Sequence, residues 1–234
     1  MKYVLIPIKE SSNAKQRLAG LMSPEERSAL AGQMLEHVLT QVSRAGGYDR
    51  AAVVTLSPSG IELAQRLGFE IIREAEQVSE SVSVDYGSGI VRGKGARSVL
   101  RLPIDLPLLL AEDVETVLAR LDHRSGVPVA VIVPSRDGTG TNALGRTPPE
   151  LFQSRFGPGS YRLHRAEARR CGAVWLELNL PRIACDIDDP GDIAYLLEHG
   201  RGTRIHEFLM DLGIGRRLGE AVQPRADCRG GSDR

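Results

Sequence analysis

The chain has 234 residues, 41% of them hydrophobic, a size at which one α/β domain around a sizeable core is ordinary. Thirty Lys and Arg balance thirty Asp and Glu, which excludes binding to nucleic acid or a membrane surface through bulk charge, so an anionic ligand has to be held locally. The three cysteines, Cys171, Cys185 and Cys228, lack CxxC spacing and are odd in number, which argues against a disulfide framework and a zinc site and fits a reducing cytoplasm.

The first apolar run, 3–8, is too short for a signal-peptide core or a membrane span and reads as a buried first strand. A helix follows from Ser23, which can cap it, with Pro24 suited to the first position and Glu26 completing a capping box. Its apolar face is Leu30, Met34, Leu35, Val38, Leu39 and Val42. Strand-length runs at 51–56 and 69–72 bracket a second helix from about Gly60 to Gly68. Further runs rich in Val, Ile and Leu occupy 98–104, 129–133 and 173–178. A third helix covers roughly 111–121, and Asp189-Pro190 opens another that turns Ile193, Leu196 and Leu197 inward. Strands alternating with helices predict a single-domain α/β fold, an open and mostly parallel sheet flanked by helices. After a short amphipathic segment, 205–212, the end is rich in Gly, Arg and Asp, so the reading is one domain over 1–213 and a flexible tail over 214–234.

In an open parallel sheet a ligand sits outside the carboxyl ends of the strands, and four polar segments follow apolar runs here. The first carries Lys9, Lys15 and Arg17 just past the first strand, a loop that can wrap a triphosphate or simply be solvated. The second carries Asp105 in LPIDLPLL, where a carboxylate would hold magnesium or cap a turn. The metal reading gains weight from the later cluster DIDD, in which Asp189 is the cap for Pro190 and Asp186 and Asp188 share one face if the segment is extended. The third, PSRDGTGTNAL, places Thr141 and Asn142 after two glycines; it is not a Walker loop, and by itself it reads more often as a turn. The fourth, FGPGS, has Gly157 and an N-capping Ser160 ahead of a helix whose first amides suit phosphate or carboxylate. Among the histidines only His164, with Arg162 and Arg165, keeps polar company of this kind, and nothing points to a protein nucleophile. Trp175 reads as core.

In that order and spacing, PIKESSNAKQRL, LPIDLPLL, PSRDGTGTNAL, FGPGSYRLH and DIDDPGDI resemble the 2-phospho-L-lactate and phosphoenolpyruvate guanylyltransferases of deazaflavin coenzyme (F-420) biosynthesis, over roughly the first two hundred residues. The resemblance implies a GT-A-like, Rossmann-like nucleotidyltransferase fold. It implies that Lys9, Lys15 and Arg17 contact GTP, that Asp105 and an acid of the Asp186 and Asp188 pair bind Mg2+, and that Thr141, Asn142, Gly157 and Ser160 hold a small phosphorylated carboxylic acid. One departure stands out. Where the family carries a Gly-Leu-Asn segment, this chain reads SVSVDYG from Ser81 to Gly87 after Ser79-Glu80, which keeps 3-phospho-D-glycerate in contention as acceptor. The expected reaction is attack of the acid's phosphate on the α-phosphorus of GTP, with pyrophosphate leaving toward the cations. The alternatives are a molybdenum-cofactor or nucleotide-sugar transferase of the same fold, and a nucleotide-binding protein without turnover. A homodimer, and hand-off of the product to the next transferase of the pathway, are open expectations.

Overall fold

The computed structural model describes residues 1–9, 15–121 and 126–222. Positions 10–14 of the basic loop, His123 and the end of the chain from 223 with Cys228 lie outside the described residues.

Seven strands form one sheet: β1 (Lys2–Ile8), β2 (Arg50–Thr55), β3 (Glu70–Ile72), β4 (Ser98–Arg101), β5 (Val129–Pro134), β6 (Thr141–Thr147) and β7 (Val174–Glu177). Their order is β3-β2-β1-β4-β6-β5-β7. All pairings are parallel except those of β6, which runs antiparallel to both β4 and β5. The period-2 alternation of strand side chains supplies two cores from one run of apolar residues. Val4, Ile6 and Ile8 of β1 join one core, with Val38, Leu39 and Val42 of α1 (Pro24–Arg44), Ala64 of α2 (Pro58–Arg66) and Val114, Val117 and Leu118 of α4 (Ala111–Arg120). Tyr3 and Leu5 face the other way, onto Val84 and Val91 of α3 (Glu80–Gly93). α5 (Ser160–Arg170) extends that second layer over β5 and β6 through Ala168.

The helix starts follow local chemistry. Ser23 and Glu26 form the expected capping box on α1, and Asp189 and Asp192 form one on α7 (Pro190–His199). A one-turn helix, α6 (Pro181–Ala184), precedes α7, and α8 (Arg204–Asp211) and α9 (Ile214–Val222) follow it. These last helices build a separate apolar cluster with Leu18, Leu30, Met34, Cys185 and Ile187.

Three elements depart from the sequence reading. The turn reading of PSRDGTGTNAL is corrected from Thr141 onward: β6 has no apolar run, yet it is a strand because both of its edges find partners. α3 was not expected, since its serines and glycines are poor helix formers; Ser79 caps it, and Gly87 lets it press onto the sheet, where a Cβ would come within 2.6 Å of Val54 Cγ2. The tail expected from residue 214 is corrected for 214–222: those nine residues form α9, with Ile214 fully buried and Arg217 paired with Glu26 at 2.8 Å. Among the described residues no helix is long and apolar enough to cross a membrane.

Candidate active site

The antiparallel strand decides where the site forms. β1, β4 and β5 all end at the same edge of the sheet, and β6, running backwards between β4 and β5, begins there. Thr141 and Asn142 therefore stand beside the segments that follow β4 and β1, at the edge where open α/β sheets bind ligands. A cavity of about 610 Å³ opens at this edge, and its lining includes Lys9, Arg17, Asp105, Thr141, Ser160 and Asp186.

Asp105 lies past β4, in a loop that leaves the sheet because Pro103 has no N–H to continue the ladder. The backbone N–H of Ile187 donates to the carbonyl of Asp105 at 3.3 Å and stitches the two acidic segments together. Alternation in the second segment buries Cys185 and Ile187 in the C-terminal cluster and turns Asp186 and Asp188 the other way. Asp105, Asp186 and Asp188 thus bring one carboxylate oxygen each within 4.8 Å of the others. Such a set of hard oxygen ligands suits a divalent cation that keeps some water or phosphate ligands of its own. Asp189, as expected, is spent on capping: it accepts from the N–H groups of Gly191 and Asp192.

Lys15 reaches into this group, 2.6 Å from Asp105 and 3.0 Å from Asp188. Among the described residues it is the one non-glycine with positive φ, at 55°, a backbone state that persists only where the surroundings impose it. Burial works against its ammonium charge, but the carboxylates of Asp105 and Asp188 outweigh burial and raise its proton affinity. Burial likewise opposes ionisation of Asp105, and Lys15 and Arg101 overcome it and hold the carboxyl below the usual range. At Asp186 the balance is reversed: burial, then repulsion from Asp105, push it up to about 6 despite the hydrogen bond from Asn142. A cation placed among the three acids would relieve that cost, so the donors fit a metal.

Asn142 points its amide nitrogen at Asp186 Oδ1 (3.0 Å) and at the carbonyl of Ile183 (2.9 Å). Thr141, at the cavity wall, meets His164 Nδ1 at 3.0 Å and the hydroxyl of Ser160 at 3.1 Å. Gly157 and Gly159, with φ of 118° and 70°, make the reversal that brings α5 to this wall; Gly159, not Ser160, is the N-cap, and Ser160 is the first helical residue. The loop between β5 and β6 is largely self-satisfied. Asp137 accepts from the Ser135 hydroxyl and from Thr139, and those bonds, the Ser135 one first, lower its carboxyl to about 2.

Two residues here escaped the sequence reading. Arg101 ends β4, buried, with its guanidinium 3.1 Å from the carbonyl of Thr141, paired with Glu80 and stacked 4.1 Å over Phe156. Its Nε is buried and, among the described residues, has no hydrogen-bond partner. Burial lowers its proton affinity to about 9, against the pull of Asp105 and Asp186, and it remains a cation at neutral pH. Glu80 is the other, brought to the cavity by the unexpected α3. The available signal was an arginine inside the apolar run Val99-Leu100-Arg101-Leu102, where a charge needs a partner.

Comparison with known proteins places the chain in a family. Residues 1–228 match the model of the family described as "Guanylyl transferase CofC like". The phosphoenolpyruvate guanylyltransferase of Rubrobacter xylanophilus is 35% identical over 198 residues, 85% of this chain and 94% of that one. The 2-phospho-L-lactate guanylyltransferase of Methanothermobacter thermautotrophicus is 30% identical over 208 residues, 89% of each. Among solved structures, a chain from Desulfovibrio desulfuricans G20 provisionally described as a nucleotide-diphospho-sugar transferase superposes with a TM-score of 0.75 at 16% identity, covering 94% of this chain and 97% of that one. That likeness is one of fold.

Proposed function

This chain belongs to the family of CofC-like guanylyl transferases, and we propose that it transfers the guanylyl group of GTP to a phosphorylated three-carbon acid, releasing pyrophosphate, in coenzyme F-420 biosynthesis. The observation that carries this reading is the cluster of Asp105, Asp186 and Asp188 in one cavity that Lys9, Arg17, Thr141 and Ser160 also line. The acceptor is phosphoenolpyruvate, 2-phospho-L-lactate or 3-phospho-D-glycerate. The unpaired thiols of Cys171 and Cys185 fit a cytoplasmic enzyme.

A phosphate oxygen of the acid attacks the α-phosphorus of GTP. The bond from that phosphorus to the oxygen bridging to the β-phosphorus breaks, and pyrophosphate departs with the electron pair. The nucleophile is already an anion, so no general base is needed, and catalysis rests on alignment and charge neutralisation. Lys9, Lys15 and Arg17 offset the charge that collects on the leaving group. Thr141 holds the acid, with the Ser160 hydroxyl hydrogen-bonded to it, and Asn142 orients Asp186. Asp105, Asp186 and Asp188 would hold magnesium, whose positive charge would draw electron density from the phosphates.

Purified protein is incubated with Mg2+, GTP and each acid in turn, with the next transferase and its deazaflavin acceptor added to trap a labile product. Pyrophosphate released only when one acid is present, with a coupled product of matching mass, establishes the reaction and names the acceptor. GTP binding without release for any acid overturns it.

A further inference from the structure

We propose that His164 sets the direction of the Thr141 hydroxyl proton and thereby makes Thr141 a hydrogen-bond donor toward the anionic acid in the cavity. The proposal rests on the reading above for what that acid is; the geometry stands without it.

His164 lies on α5, fully buried, with the ring of Phe156 edge-on at 4.9 Å and that of Phe152 at 6.1 Å. Its Nε2 is 2.8 Å from the backbone nitrogen of Arg155. A backbone N–H can only donate, so Nε2 carries no proton. Burial, and then the charges of Arg101, Arg146 and Arg155, push the imidazole down to about 3, so the ring is neutral at physiological pH. A neutral ring with a bare Nε2 has its proton on Nδ1. That nitrogen is 3.0 Å from Thr141 Oγ1, which must accept from it.

The Ser160 hydroxyl donates to the same oxygen at 3.1 Å. Both lone pairs of Thr141 Oγ1 are then occupied by protons from the protein, and its own proton is directed at neither partner. Thr141 lines the cavity, where a carboxylate or phosphate oxygen would take that proton. With the opposite tautomer Thr141 would donate to Nδ1 and turn a lone pair toward an anion, which repels it. One backbone amide, that of Arg155, thus fixes the polarity of a hydroxyl at the far side of the imidazole. His164 is a positioning residue for binding of the acid.

The first test is a long-range 1H–15N correlation spectrum of the full-length, 15N-histidine-labelled protein at neutral pH, with His164 assigned by its loss in His164→Asn. A signal pattern with Nδ1 protonated and Nε2 bare is expected; the Nε2–H tautomer or an imidazolium overturns the proposal. Kinetics give the second. Asparagine can place an amide N–H where Nδ1–H stood, whereas glutamine reaches toward Arg155 and leaves Thr141 unserved. With the acid that supports turnover, His164→Gln is expected to raise its KM about tenfold with the KM for GTP unchanged, and His164→Asn to stay within about threefold of the parent. Equal KM rises in the two variants mean a structural role and overturn the proposal. Failure of every acid in the transfer assay would sink the guanylyltransferase reading and leave the tautomer experiment standing.

Discussion

The side-chain amide of Asn142, at the start of β6, lies 3.0 Å from Asp186 Oδ1 and ties the antiparallel strand to the acidic segment that follows α6. The same nitrogen donates to the carbonyl of Ile183 at 2.9 Å, so one residue both closes a buried backbone bond and aims a carboxylate. Asn142→Ala removes both. The expected stability loss is about 1–2 kcal/mol, and the Mg2+ needed for half-maximal pyrophosphate release should rise by roughly tenfold. An unchanged Mg2+ requirement would show that Asn142 does not orient a metal ligand.

Lys15 is the cation among three acids, 12% exposed at its side chain. Lys15→Gln leaves Asp105, Asp186 and Asp188 facing one another. Without divalent metal the melting temperature should fall by roughly 4–8 °C, about 2 kcal/mol at this chain length, and added Mg2+ should restore more of it than it adds to the parent protein. Melting curves with EDTA and with excess Mg2+ decide this. Transfer activity is expected to stay low even when Mg2+ restores the fold, because the charge on the leaving group still lacks its partner.

Asp186 predicts a pH dependence with a definite sign. Burial and the neighbouring Asp105 raise its carboxyl from 3.8 to about 6 in the folded protein. The folded state therefore holds this proton more tightly than the unfolded chain, and ionisation above pH 6 is a cost to folding that fades as the pH falls toward 3.8. At 1.36 kcal/mol per unit the full effect is up to about 3 kcal/mol. In EDTA, Asp186→Asn should be more stable than the parent at pH 8, and the gap should close toward pH 4. Denaturant titrations at both values check it, and a gap independent of pH would refute the assignment. For the same reason Mg2+ affinity should drop below pH 6, where the metal has to displace a proton.

Two glycines of α3 behave oppositely. A Cβ at Gly87 would stand 2.6 Å from Val54 Cγ2 and 2.9 Å from Leu5 Cδ2, whereas at Gly93 nothing lies within 4 Å. Gly87→Ala should destabilise by about 1–3 kcal/mol through overpacking against the sheet. Gly93→Ala, at the last helical residue, should be neutral or stabilising by up to about 1 kcal/mol. Chemical denaturation of the two variants, side by side, separates close approach from simple helix propensity.

The sequence by itself determined the elements whose signals are local. The period-2 apolar runs of β1, β2 and β5 find their two cores in the structure, and the capping boxes at Ser23 and Asp189 start their helices. The pairing of Asp186 with Asp188 was legible too, because alternation about the buried Ile187 needs no distant partner. Tertiary structure alone decided the rest. β6 is a strand because β4 and β5 leave a slot that its backbone fills, and its pairing with β4 joins residues more than forty positions apart that no apolar run announces. α3 exists because its small residues allow contact with the sheet, and α9 because Ile214 finds a cluster built by α1, α7 and α8. Arg101 and His164 follow the same rule. Each looks like an ordinary charged or titratable residue until the backward run of β6 sets Thr141 beside it, for a hydrogen bond depends on distance in space and not along the chain.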